Sequence, residues 1–564
     1  LVVGGLALVP TAAHAAGPCG NAAIPAVDGP YPVAKEATSV RMRDGESLGT
    51  WVFKPVGTPP VGGWPMILHL HGGAALANDP RNDVAPMEGQ SAYACRGYVV
   101  VSYLRRGYPG VVTNSPNVVV NPSSNRATTT GWDYGGPIDV GDGEDIISWA
   151  IANESVNAQR IGVEGGSQGS FVTYALAGND SRIRTIIPAA GYDSWNDHAV
   201  RNGVMSPGCA LYPLIGLGLL TTTTPENMVE YCKLTLGGPA GQGSDNDYWW
   251  QRSPARWAPG IQIPVFNVMN TLDPNWNSSG WIRLHEMLPG THNKLFVGPV
   301  PIHINVPSPQ RTRFQTDVQR WWDYWLKDVD TGITADPPIT WAAPPDDFFS
   351  PTDPWTFGTS QQLPPCASAP TTYSLSQGNA LVPGAGAGSG DPQVLVNDPA
   401  AGAANLALLG TAVVETPVDT VAYRSGPMAE DTAITGDIHL DLSLTSLSPR
   451  YQVHPDFYDV APDGTARRMY FIASLNTGPI IPFGVFDGVP AQAKHLSWDP
   501  HTTFFVVRAG HSIELRISSS QRESWMPEPT PGGYLVNHAG AQQSTLSFHG
   551  LPLSQLDWSN HGCP

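Results

Sequence analysis

Ile161–Ser170 reads IGVEGGSQGS. Within it, Gly165-Gly166-Ser167-Gln168-Gly169 fits G-x-S-x-G. A strand-like run, Ile161–Glu164, comes before it, and a helix-like run, Ser170–Ala177 (SFVTYALA), follows. This strand–turn–helix setting is what a nucleophile elbow requires. The glycines are expected to let the chain turn sharply and to stand the Ser167 hydroxyl at the end of the strand. Gln168 then opens the helix, where its backbone N–H can face a developing oxyanion. A bare G-x-S-x-G also arises by chance in a glycine-rich chain. The strand before it and the helix after it favour the functional reading.

A serine hydroxyl is a weak nucleophile and needs a base, itself oriented by an acid. Behind an elbow of this kind the chain order is Ser, then Asp or Glu, then His. Asp273, in NTLDPNW, follows the apolar run Val265–Met269 and is the expected acid; the alternative is a plain Asp-Pro turn. His303, in GPVPIHINVP, follows Leu295–Val300 and is the expected base. His285 and His292 are weaker candidates because they precede the last strand. The run Met66–Leu70 (MILHL) leads into His71-Gly72-Gly73. Two glycines there permit close approach to a tetrahedral oxygen, so Gly72 or Gly73 is expected to supply the second oxyanion N–H beside Gln168.

Working outward, Met66–Leu70, Tyr98–Tyr103, Ile161–Glu164, Ile183–Pro188, Val265–Met269 and Leu295–Val300 are continuous apolar runs. Such runs suit strands buried on both faces of a parallel sheet. Asp142–Ala152 reads as a helix with acids in its first turn. Residues 196–260 interrupt the rhythm and read as a cap insertion. Its Tyr248, Trp249 and Trp250 are either substrate contacts or cap core. Beyond 345 the period changes to two: Ile438, Leu440, Leu442 and Leu444 alternate with polar residues, as do Ile513, Leu515 and Ile517. The expected fold is α/β plus all-β. It divides into an α/β domain in two parts (16–195 and 261–345), the cap between them, and a C-terminal β-sandwich (346–564).

Composition fits this picture. The chain has 564 residues, 60 Gly and 55 Pro, and only 14% charged residues, against about 25% in an average soluble domain. So many helix breakers disfavour long bundles. A net charge of −18 repels phosphate backbones and argues against a nucleic-acid partner. The first fifteen residues, LVVGGLALVPTAAHA, are apolar and end in Ala13-His14-Ala15, the A-x-A form of an export cleavage site. They are too short to span a bilayer, so a secreted protein without a membrane span is expected. The six cysteines suit disulfides, and none forms a C-x-x-C pair, so no metal site is expected. Cys209–Cys232 is the preferred bridge, with the pairing of Cys19, Cys95, Cys366 and Cys563 left open. Asp139–Asp145 lacks calcium-loop spacing and reads as a helix start.

Several stretches resemble the X-Pro dipeptidyl-peptidase and cocaine esterase family of serine hydrolases. They are Ser39–Pro55, DGEDIISWAIANESVNAQRIGVEGGSQGS, Tyr248–Asp273, Trp321–Ile333 (WWDYWLKDVDTGI), ITGDIHLDLSLTS and FYDVAPDGTARRMY. The resemblance covers nearly the whole mature chain. It implies an α/β-hydrolase domain, a helical cap, a C-terminal jelly roll and no cofactor, with Ser167, Asp273 and His303 as nucleophile, acid and base. Two positions depart from the family pattern. Gln168 stands where an aromatic residue is usual. His71-Gly72-Gly73 replaces the loop whose tyrosine hydroxyl supplies one oxyanion donor. The expected activity is ester hydrolysis on a small or polymeric, apolar or aromatic substrate. X-Pro peptide hydrolysis is the alternative, and an inactive glycan- or polymer-binding protein is the rival from another class.

Overall fold

The computed structural model describes residues 16–17, 19–24, 26–72, 89–107, 131–195, 200–201, 204–205, 226–227, 229–230, 247–273, 279–300, 308–346, 350, 352–365, 369–397, 420–469, 485–487, 491–519, 532–540 and 543–556. His303, Gly73, Cys209 and Cys232 lie outside them.

A ten-stranded sheet forms the first layer system. Its strands are β1 (Val33–Arg41), β2 (Ser47–Pro55), β3 (Trp64–Leu70), β4 (Val99–Tyr103), β5 (Val156–Gly166), β6 (Ile183–Ala189), β7 (Phe266–Asn270), β8 (Lys294–Gly298), β9 (Ile339–Ala343) and β10 (Thr356–Ser360). Their spatial order is β1-β2-β4-β3-β5-β6-β7-β8-β9-β10. Pairing is parallel from β4 through β3 to β9 and antiparallel at both edges. The order reverses at β3/β4, and open α/β sheets bind ligands beyond the strand ends at such a switch.

The continuous apolar runs are explained by burial on both faces. Met66, Leu68 and Leu70 join a core with Ile146, Ile147, Val172 and Leu176 from α2 (Pro137–Asn153) and α3 (Gln168–Asn179). Ile67 faces the opposite core, with Tyr93 from α1 (Gln90–Cys95) and Phe314, Val318, Trp321 and Trp322 from α7 (Ser308–Lys327). Between α3 and α7 lie α4 (Asp247–Trp250), α5 (Pro254–Trp257) and α6 (Gly280–Met287). Helix α2 begins five residues before the expected Asp142, and only Asp139 lies in its first turn. Pro137 sits at its start, where a missing N–H costs nothing and a fixed φ suits the first turn.

The C-terminal region is a β-sandwich. Its strands are β11 (Thr371–Ser376), β12 (Ala380–Pro383), β13 (Gln393–Asn397), β14 (Thr420–Arg424), β15 (Thr432–Ser446), β16 (His454–Val460), β17 (Ala466–Arg468), β18 (Ala493–Val507), β19 (Ser512–Ser518), β20 (Gly532–Val536) and β21 (Thr545–Pro552). The period-two residues Ile438, Leu440, Leu442, Leu444, Ile513, Leu515 and Ile517 all point into its core. This domain does not hang on a linker. Ala433 of β15 and Phe504 and Val506 of β18 belong to the same apolar cluster as Met66 and Trp341. The Phe504 and Trp341 rings lie 5.1 Å apart. The Thr502 N–H donates to Ser279 Oγ at 2.9 Å, at the entrance to α6.

Cys19 and Cys95 form a disulfide with Cα atoms 5.3 Å apart, which ties the N-terminal segment to the end of α1. This settles one pairing that the sequence left open. Closing a loop across 76 positions should stabilise the fold by about 2–4 kcal/mol. The Cys19→Ser/Cys95→Ser double variant is therefore expected to show a lower denaturation midpoint. Reduction of the wild-type protein should lower its midpoint at least as far.

Candidate active site

Strand β5 ends at Gly166 and α3 starts at Gln168, with Ser167 alone between them. Ser167 has φ 56° and ψ −126°. A side-chain-bearing residue held there is strained by about 1–3 kcal/mol, and such strain persists only where the surroundings impose it. The Ser167 N–H donates to Ala189 O at 2.9 Å, and the Ser167 carbonyl accepts from the Ser170 N–H and hydroxyl at 3.0 and 2.6 Å.

The turn itself is made by the serine, and the flanking glycines serve close packing. A Cβ on Gly165 would lie 2.5 Å from Gly169 O, and one on Gly169 would lie 2.3 Å from Leu70 O. The helix start, the elbow strand and the end of β3 thus meet backbone to backbone. Gln168 opens α3 and is buried. Its backbone N–H lies in the first turn of the helix, where amides have no intrahelical partner.

The end of β3 carries His71 and Gly72 into this junction. His71 is buried, and its imidazole is held far below its ordinary pKa, first by desolvation and then by the nearby Arg105 charge. The Arg105 N–H donates to His71 Nε2 at 3.1 Å, so the proton sits on Nδ1, which donates to Gly72 O at 2.7 Å. Deeper in the sheet, His69 Nδ1 lies 2.9 Å from Glu164 Oε1, and the Tyr93 hydroxyl donates to Glu164 Oε2 at 3.2 Å. The strand leading to His71 and the strand leading to Ser167 are linked through this buried pair.

Asp273 is buried three residues past β7. Asn270 shapes its loop: Oδ1 accepts from the Leu272 N–H at 3.3 Å and from the Val300 N–H at 3.4 Å. One side chain therefore joins the loop bearing Asp273 to the segment running toward His303. Sequence reading missed Asn270, although an Asn two residues before a turn amide is a recognisable Asx-turn signal. His285 is half-buried on α6 and pushed down to about 4 by desolvation, so it stays neutral at physiological pH.

The three aromatics at 248–250 divide. Trp249 is fully buried, 5.3 Å from Tyr134 and 5.5 Å from Trp195, within a cluster that also holds Trp132, Phe171 and Tyr192. These ring neighbours come from 132–195, so it packs into the core of the α/β domain. Tyr248 is half-buried; its hydroxyl donates to Asn227 Oδ1, and the Arg252 guanidinium lies 3.7 Å over its ring. Trp250 keeps 39% of its surface exposed. Among the described residues, no group of three His, Cys, Asp or Glu side chains converges on a metal position.

The chain is an α/β-hydrolase with a serine elbow and an all-β C-terminal domain. Residues 44–305 match the X-Pro dipeptidyl-peptidase (S15 family) domain, and residues 323–550 match the X-Pro dipeptidyl-peptidase C-terminal non-catalytic domain. Together the two matches span most of the chain, which belongs to the X-Pro dipeptidyl-peptidase and cocaine esterase family of serine hydrolases. A provisionally named Xaa-Pro dipeptidyl-peptidase of Bacillus anthracis is 28% identical over 209 residues, 35% of this chain and 33% of that protein. Dipeptidyl-peptidase 5 of Porphyromonas gingivalis is 24% identical over 306 residues, 52% of this chain and 38% of that one. The matches thus span about a third of the length of these curated relatives. A CocE/NonD family hydrolase from Staphylococcus aureus shares the fold at a TM-score of 0.66 and 14% identity, over 92% of this chain and 94% of that one. An α-amino acid ester hydrolase does so at 0.64 and 15%, over 93% and 97%.

Two outcomes are expected from this geometry. Asn270→Ala should lower kcat about tenfold or more by loosening the acid loop, with little change in the circular dichroism spectrum. Asp139 accepts from the Gly135 N–H at 2.8 Å and is pushed up to about 6, first by burial. Its folded pKa exceeds its ordinary value, so its contribution is fully present below about pH 4. That contribution is lost as pH rises through 6. Asp139→Asn should therefore flatten this part of the pH dependence of the melting temperature, as read by calorimetry between pH 4 and 7.

Proposed function

We infer that this chain is an exported serine hydrolase that cleaves carboxylic esters through an acyl-enzyme on Ser167. The observation that carries the reading is the strained Ser167 turn (φ 56°) between the helix-start amide of Gln168 and the end of β3. In this reading Ser167 Oγ attacks the ester carbonyl carbon while His303 removes its proton. Asp273 orients the imidazole and stabilises its charged form. The tetrahedral oxyanion accepts from the Gln168 N–H and from the Gly72 or Gly73 N–H, each donor being worth about 10²–10³ in rate. Collapse expels the alcohol, which takes the proton from His303. Water then repeats the sequence and releases the acid and free Ser167.

Ester rather than X-Pro peptide hydrolysis is supported by what the buried acids are doing. An X-Pro peptidase needs carboxylates for the substrate's free amine. Asp133 and Asp193, next to the aromatics at 248–250, are each taken up by an arginine: Arg252 at 2.8 Å and Arg283 at 2.6 Å. The exposed Trp250 ring suits an apolar or aromatic acyl group. X-Pro dipeptide release is the second reading, favoured by the family matches at 44–305 and 323–550. Export is supported by the Cys19–Cys95 disulfide, since such bonds persist in oxidising compartments. Among the described residues, no helix is long and apolar enough to cross a membrane.

A fluorophosphonate should label Ser167 alone, and Ser167→Ala should abolish both labelling and turnover. A panel of p-nitrophenyl esters beside an X-Pro p-nitroanilide decides between the readings. Faster turnover of aromatic esters supports the first, and faster turnover of the anilide replaces it with the second. A folded protein that is neither labelled nor active on either overturns both.

A further inference from the structure

The loop after β3 needs a fixed direction to act as an oxyanion donor, yet it holds two glycines and lies at the end of a strand. Among the described residues, Arg105 supplies three hydrogen bonds to its start. Arg105, two residues past β4 and buried, donates its backbone N–H to His71 Nε2 at 3.1 Å. Its guanidinium Nη2 donates to His71 O at 2.8 Å and to Gly72 O at 3.4 Å. His71 Nδ1 closes the set on Gly72 O at 2.7 Å.

A trans peptide is planar, with its C=O and N–H antiparallel. A guanidinium that fixes the His71 carbonyl therefore also fixes the Gly72 N–H, which belongs to the same peptide plane. We propose that Arg105 is the positioning residue of the oxyanion loop, aiming its backbone donors by holding the carbonyls of His71 and Gly72. The proposal rests on the hydrolase reading above and adds a part to it.

The surroundings of Arg105 favour this role. Leu104 N–H donates to Gly49 O at 2.9 Å. Arg106 is clamped by Asp142 at 2.6 and 2.7 Å and by Asp44 at 2.5 and 3.1 Å. Arg105 is thus set between anchored neighbours, and its guanidinium lies 5.9 Å from the centroid of the Trp132 ring. A planar fork can hold two adjacent carbonyls at once, whereas an ammonium is a single point on a flexible stem.

The test uses the full chain with a p-nitrophenyl ester, with rates expressed per site titrated by fluorophosphonate. Arg105→Lys keeps the charge and removes the fork. It is expected to lower kcat per titrated site about 10- to 100-fold, to leave KM within about twofold, and to weaken inhibition by an arylboronic acid in parallel with kcat/KM. A purely structural role would lower the fraction of titratable sites and the melting temperature but not kcat per site, and that result overturns the proposal. If Arg105→Lys does not fold, Arg105→Gln decides, because it removes the fork that holds the His71 and Gly72 carbonyls and leaves the His71 ring in place. It should show the same kcat loss per titrated site at near-constant KM, and wild-type kcat per site would overturn the proposal. Failure of the hydrolase reading looks different: the wild type itself would be neither labelled nor active.

Discussion

Everything at the centre of this molecule depends on one close approach. The start of α3 touches the ends of β3 and β5 with no side chain between them. At Gly165 and Gly169 even a methyl group would collide with backbone. This contact sets three things together: the left-handed turn at Ser167, the helix-start amide of Gln168, and the distance to the His71–Gly72 loop. The strain at Ser167 is balanced by cores on both faces of the sheet, whose buried residues run from Val40 to Leu556 on one side and from Phe53 to Trp355 on the other.

Around that junction, side chains act as fasteners between segments far apart in sequence. His69 and Glu164 couple the two strands that deliver the loop and the serine. Asn270 couples the ends of β7 and β8. The all-β domain contributes as well: Thr502 bonds Ser279, just past the acid-bearing loop, and Phe504 packs on Trp341. Buried polar pairs of this kind add little net stability compared with apolar packing, and their best-attested use is to specify register. That is the service needed where two loops must meet within a fraction of an ångström.

Much of this was legible in the chain. Each continuous apolar run became a strand of the mixed sheet, because only strands covered on both faces are apolar throughout. The period-two segments became the sandwich. The reason for the elbow glycines was less legible. The motif points to turn residues, but Ser167 adopts the unusual φ and the glycines clear space for a neighbouring strand. The acids expected in the first turn of a helix lie farther along α2, because Pro137 starts the helix earlier. The aromatics at 248–250 could not be apportioned between core and surface from composition. Trp249 is enclosed and Trp250 is exposed, though they are adjacent in the chain.

The sequence by itself determined the fold class, the Ser167 elbow and the order in which acid and base candidates follow it. These are properties of local periodicity and of motifs a few residues long. Only the tertiary structure decided which distant groups restrain the site: Arg105 on the His71–Gly72 loop, Asn270 between two strand ends, and Cys95 with Cys19 among three open pairings. The physical reason is that a hydrogen bond, an ion pair or a disulfide between segments 30 to 220 positions apart leaves no periodic trace in the chain. It exists only once parallel strand pairing has set the register and both faces of the sheet are packed.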